Sequence, residues 1–165
     1  MDFRRKDQTE AATSLCVRGN PGIKEGKPME NKRTFKLEQV KDGDVVFISA
    51  CSQCGSTAKI TFNGLEPAVE LSKNHKNCGL CPLDGNGSTA QKAPGELSFT
   101  IEITGQESID DKNKNMKVTQ HITVLTDKDG KEQGFCYTYN IEDVDNGDED
   151  FNDYYINVVA WHNKG

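Results

Sequence analysis

Apolar residues in this chain recur at every second position, in one segment after another. "ELSFTIEITG" sets Leu97, Phe99, Ile101 and Ile103 on one face, and "GFCYTYNIE" does the same with Phe135, Tyr137, Tyr139 and Ile141. "TAKITFNG" aligns Ala58, Ile60 and Phe62, and "TFKLEQV" alternates Phe35 and Leu37 before Val40. A period of two is the mark of a strand with one buried face, and no segment sustains the 3.6-residue period of a helix. Turn residues separate the runs: Asp42-Gly43 precedes "DVVFISA", and "DKDGK" joins "MKVTQHITVL" to the next strand. "YYINVVAW" reads as the last strand. The pattern predicts an all-β chain, an antiparallel β-sandwich, with a cysteine-clipped loop insertion. That insertion lies in Ser72 to Pro94, which is rich in Asn, Gly, Cys and Pro and reads as a long loop. Residues 1–32 are polar, broken by "GNPG" and "KEGKP", and read as a flexible N-terminal arm ahead of a 33–165 domain. At 165 residues the chain is long enough for one domain with a real core.

Charge is distributed unevenly. The net charge is −6, from 20 basic and 26 acidic residues. Seven of the acids fall between Glu142 and Asp153, a span without a basic residue; outside it 19 acids face 20 bases. All four arginines, Arg4, Arg5, Arg18 and Arg33, stand at or before position 33. A basic surface for nucleic acid is therefore not expected. No apolar run approaches the length of a membrane span. "MDFRRKDQTE" has no signal-peptide character, so the cytoplasm is the expected location, with unconventional export left open.

The acidic segment, "EDVDNGDEDFND", leads straight into the last strand. Two carboxylates at 4 Å repel by roughly 1 kcal/mol in bulk water and about 4 at an effective dielectric of 20. Several gathered in one loop call for a counter-charge. Asp148, Asp150, Asn152 and Asp153 offer short side chains and hard oxygens, the donor type of calcium; zinc prefers nitrogen and sulfur. The EF-hand template does not fit, because counting from Asp143 puts Gly147 at position five and Asp148 at six.

The residues Glu142-Asp143, Asp148-Glu149-Asp150-Phe151-Asn152-Asp153, Trp161 and Gly165 resemble the calcium-mediated fucose/mannose-binding lectins of bacteria. The resemblance covers roughly residues 95–165. It implies two calcium ions side by side, sharing carboxylates and completed by sugar hydroxyls. Glu142, Asp148, Asp150, Asn152 and Asp153 would be ligands by position. Asp143 would accept a hydrogen bond from the sugar, with Asp148, Asp150 and Asp153 beside it at the sugar-binding site. The Gly165 carboxylate would reach a partner subunit's calcium, which implies a homodimer. "SQCG", Ser52 to Gly55, stands where that family has an asparagine ligand. The loop also resembles an uncharacterised extracellular β-domain family with a G-D-x-D-F-N-D loop, which implies calcium without sugar.

Cys51-Ser52-Gln53-Cys54-Gly55 and Cys78-Gly79-Leu80-Cys81-Pro82 form two CxxC knuckles, at 51–55 and 78–82. Four thiolates at this spacing resemble a structural zinc site; two disulfides are the alternative. Cys16 and Cys136 are left over. His75, His121 and His162 stand isolated, and no nucleophile–base pairing is visible, so an enzyme is not expected. The function expected is a calcium-dependent carbohydrate-binding lectin. Its rivals are a calcium-stabilised structural or adhesive β-domain without a sugar site, and a zinc-clipped protein-interaction module.

Overall fold

The computed structural model describes residues 31–104, 116–143 and 150–162. All of its regular elements are strands: β1 Asn31–Lys36, β2 Val45–Ser52, β3 Thr57–Asn63, β4 Leu65–Glu66, β5 Val69–Lys73, β6 Cys81–Pro82, β7 Ser88–Lys92, β8 Ser98–Thr104, β9 Lys117–Thr126, β10 Glu132–Glu142 and β11 Tyr154–Trp161. No helix among the described residues is long and apolar enough to cross a membrane.

Two antiparallel sheets face each other. The smaller has the order β1-β8-β3-β5; the larger has the order β4-β7-β2-β11-β10-β9, with β6 also paired to β2. Alternation along each strand sorts the side chains, because successive residues point to opposite faces. Val46, Ile48 and Ala50 of β2, Ile156, Val158 and Ala160 of β11, and Tyr137, Tyr139 and Ile141 of β10 are buried from the larger sheet. Ile60, Phe62, Leu71, Phe99, Ile101 and Ile103 meet them from the smaller one. Aromatic rings bind the two sheets. Phe35 and Phe99 stack at 4.9 Å, and Tyr139 contacts them across the core at 5.1 and 4.9 Å. The expected all-β sandwich and its inward stripes are therefore observed. Trp161 ends β11 on the outer face and is exposed.

Two details differ from expectation. β1 begins at Asn31, ahead of the expected boundary at 33, and pairs along its length with β8. Residues 1–30 lie outside the described residues. The stretch Ser72 to Pro94 is not one long loop: β6 and β7 lie within it, and β7 pairs with β2 through Val45↔Gln91 to Ile48↔Ser88. Its sequence, "STAQK", hides the strand because the two inward residues are Ala90 and Lys92, which carry little hydrophobic signal. Gly134 has a requirement that is easily missed. Its φ is 154°, and a Cβ placed there would lie 1.9 Å from the Ala160 carbonyl oxygen, so β10 approaches β11 there too closely for any side chain.

The order β2-β11-β10 fixes where the candidate site stands. Tyr154 pairs with Ser52 on one side and with Ile141 on the other. The end of β2, the start of β11 and the end of β10 therefore meet at one end of the larger sheet.

Candidate functional site

At that end, three backbone segments are tied together around the acidic residues. The Asp143 N–H donates to Asp153 Oδ2 at 2.7 Å, and the Phe151 N–H donates to Glu142 Oε2 at 3.1 Å. The Gln53 N–H donates to the Asp153 carbonyl at 3.1 Å, bringing the loop after β2 onto the acidic segment. Asp150 accepts from the Asn152 N–H at 3.2 Å and from its side-chain amide. Phe151 has φ of 54°, the left-handed region that bulky side chains rarely occupy. Strain of that kind persists only where surrounding contacts over-determine it. Here it lies between Asp150 and the Asn152-Asp153 pair.

The structure thus brings together Glu142, Asp143, Asp150, Asn152 and Asp153 as neighbours at the β10–β11 junction. Asp148 and Gly165, the other expected ligands, lie outside the described residues. Glu142 is 3% exposed, unusual for a carboxylate. The Asp153 carboxyl is pushed up to about 8, first by burial and then by the charges of Asp143 and Glu142. Ser52 is fully buried at the β2 terminus, and the Gln53 N–H donates to the Asp153 carbonyl, so the Ser52-Gln53 loop lies against the acidic segment.

This carboxyl makes the stability of the domain depend on pH. A carboxyl whose folded value exceeds its unfolded value binds more protons in the folded state, so stability falls as pH rises between the two. For Asp153 that window runs from about 4 to about 8. Metal-free protein in EDTA is expected to melt several degrees lower at pH 8 than at pH 5.5, and calcium is expected to remove most of that loss. Equal melting temperatures in EDTA at the two pH values would contradict it.

The cysteines are arranged otherwise than a four-thiolate site requires. Cys54 is 5% exposed and turns inward, its Sγ 3.2 Å from Ser56 Oγ, which in turn lies 2.8 Å from the Tyr154 hydroxyl. Burial pushes the thiol up, and it pushes the Tyr154 phenol up as well. Cys81 lies 3.8 Å from Ser52 Oγ and 3.9 Å from His75 Nε2. Cys78 is disulfide-bonded, while Cys51, Cys54, Cys81 and Cys136 are free thiols. Among the described residues Cys51, Cys54 and Cys81 are not gathered around a common point: Cys51 lies in β2, paired with Pro82 of β6, and Cys54 lies in the loop that follows β2. Cys54 joins the acidic site instead. One ligand atom each from Cys54, Asp143 and Asp153 lie within 4.8 Å of one another.

Two features escaped the sequence. Lys73 ends the inward stripe Val69, Leu71, Lys73 of β5 and is 2% exposed. Its Nζ donates to the carbonyls of Cys54, Ser56 and His75 at 2.9, 2.7 and 2.7 Å. Buried ammonium with three acceptors pins the loop that carries Cys54 to the 73–75 segment. The available signal was a lysine at an inward position of an alternating strand. The second is His162, which is not isolated. Its Nδ1 is 3.0 Å from Asp44 Oδ2 and its Nε2 2.9 Å from Glu132 Oε1, at the opposite end of β11. His121 is exposed in β9.

No protein-family model matches the chain. No curated protein matches it. Among solved structures it is similar to the Chromobacterium violaceum lectin CV2L, determined in complex with alpha-methyl-fucoside. The TM-score is 0.51 at 11% identity, over 76% of this chain and 94% of that one. It is also similar to the C-terminal domain of the BC2L-C lectin from Burkholderia cenocepacia, with TM-score 0.48 at 13% identity, over 82% of this chain and 99% of that one. At 11% identity the likeness to CV2L is one of fold: an all-β sandwich shared with a bacterial lectin.

Proposed function

We propose that this chain is a calcium-dependent carbohydrate-binding lectin and not an enzyme. One observation carries the proposal: Glu142, Asp143, Asp150, Asn152 and Asp153 converge at one end of a sandwich whose fold is shared with CV2L. Glu142, Asp150, Asn152 and Asp153 would hold calcium, together with Asp148. When bound, calcium supplies coordination positions that adjacent sugar hydroxyls take in place of water. The chain's own residues do the rest. Asp143, anchored through its N–H to Asp153, accepts a hydrogen bond from a further hydroxyl. The loop at Ser52-Gln53, tied to the Asp153 carbonyl, borders the sugar and helps select it. Buried Glu142 holds the Phe151 amide and so keeps the ligand-bearing turn in shape before any sugar arrives. Fucose and mannose are the first candidates, and a homodimer belongs to the same proposal.

A glycan array with calcium and with EDTA tests this. Signals on fucose- or mannose-type glycans should vanish in EDTA and with Asp150→Ala. Calorimetry with millimolar fucose, mannose and their oligosaccharides that shows no heat for calcium-loaded protein would sink the lectin. If calcium still raises the melting temperature in that case, a calcium-stabilised structural domain stands in its place.

A further inference from the structure

Calcium does not use sulfur, yet a cysteine forms one wall of the acidic site. The Cys54 sulfur and one oxygen each of Asp143 and Asp153 lie within 4.8 Å of one another. The three residues come from three separate segments: the loop after β2, the end of β10 and the approach to β11. Those segments are fastened by the bonds from Asp143 to Asp153 and from Gln53 to Asp153. We propose that Cys54, Asp143 and Asp153 form a binding site for a single thiophilic divalent ion of the zinc type, which shares Asp153 with the proposed calcium ligands and differs from a four-cysteine site.

The donor set defines the class of ion. One sulfur and two carboxylate oxygens suit zinc, and cobalt as its spectroscopic substitute; hard calcium and magnesium take all-oxygen shells. Zinc with sulfur at about 2.3 Å and oxygens at about 2.0–2.2 Å would hold these atoms roughly 3.4–3.6 Å apart, so the side chains need close in by only about 1 Å. Three protein ligands leave a fourth tetrahedral position for water or another oxygen donor.

The surroundings of the sulfur favour the same assignment. A ligating group is ordinarily held by outer partners that fix its orientation. Ser56 Oγ stands 3.2 Å from Cys54 Sγ and 2.8 Å from the Tyr154 hydroxyl. With Tyr154 donating to Ser56, the serine hydroxyl is left to donate to the sulfur, which is the arrangement a thiolate accepts. Lys73 holds the carbonyls on both sides, those of Cys54 and Ser56. Binding balances simply. The Cys54 S–H bond and the O–H bond of any protonated ligating carboxyl break, their protons leave to solvent, and the thiolate and carboxylate electron pairs go to the ion without any change of oxidation state.

Cobalt(II) added to reduced, calcium-free protein tests the assignment directly. A thiolate-to-cobalt charge-transfer band should appear at one ion per chain and disappear when one equivalent of zinc is added. Cys54→Ser should abolish the band and weaken zinc, measured against a chromophoric chelator, by about 100-fold or more, beyond the 10–100-fold of an outer partner. Asp143→Asn keeps the thiol in place and should weaken zinc without unfolding the protein. Tyr154→Phe should weaken it about tenfold. Cys51→Ser and Cys81→Ser should leave the band intact. A band that survives Cys54→Ser, or one that is lost with Cys51→Ser or Cys81→Ser while Cys54 is present, overturns the assignment. So does the absence of any band in folded wild-type protein. Glycan binding in calcium without zinc reports on the lectin proposal separately, so either can fail alone.

Discussion

Lys73→Met is expected to destabilise the domain by roughly 3–5 kcal/mol, the loss of a buried charged donor with several acceptors. Methionine fills a similar volume but donates nothing. The carbonyls of Cys54, Ser56 and His75 would then lose the partner that now satisfies them. Each buried carbonyl left without a donor carries a penalty of about 1–3 kcal/mol, reduced where water can enter. Urea unfolding should show a lower midpoint with an unchanged slope, since the surface exposed on unfolding is the same. The loss should also reach function. The 54–56 loop would be released from the 73–75 segment, and amide exchange should speed up there before it does in β10 or β11. An unfolding free energy within about 1 kcal/mol of the wild type would show that the ammonium is not what holds that loop.

Asp153→Asn is expected to separate stability from binding. The asparagine side-chain oxygen can keep the hydrogen bond from the Asp143 amide. What disappears is a carboxyl that burial and the charges of Asp143 and Glu142 hold at about 8. In EDTA at pH 8 the variant should therefore melt a few degrees higher than the wild type, after an allowance of about 1–2 kcal/mol for a partly solvated group. Calcium should reverse the order. At 100 times its dissociation constant it adds about 2.7 kcal/mol to the wild type and little to the variant. Sugar binding should be lost with Asp153→Asn under all conditions. A variant that gains as much from calcium as the wild type would remove Asp153 from the metal site. A variant less stable than wild type in EDTA would mean that the carboxylate is paired and not repelled.

The strands were legible because each carries its own signal. Phe99, Ile101 and Ile103 announce one face of β8 without reference to any other segment, as do Tyr137, Tyr139 and Ile141 in β10. Burial of alternate residues is a local property of the sequence, and it is repeated along the strand. Strand β7 escaped for the converse reason: Ala90 and Lys92 face inward there, and neither residue type signals burial. The acidic segment was legible too, because Glu142, Asp150 and Asp153 are close in sequence and their mutual repulsion demands an answer whatever the fold.

The cysteines show where sequence stops. Two CxxC motifs at suitable spacing propose one partner set, Cys51, Cys54, Cys78 and Cys81, as though motif spacing decided which sulfurs meet. Strand pairing decided otherwise. Tyr154 stands beside Ser52 in the larger sheet, and the chain then crosses to the smaller sheet through Gln53 to Ser56. That crossing turns Cys54 into the interior at the very end where Asp143 and Asp153 converge. The alternating pattern, the turns and the charge of the acidic loop belong to the sequence alone, since each depends on neighbours along the chain. The distant company that Cys54, Lys73 and His162 keep, Asp143 and Asp153, the carbonyls of Cys54 and Ser56, and Asp44 with Glu132, was settled only by tertiary structure, because sheet order alone brings those partners within reach.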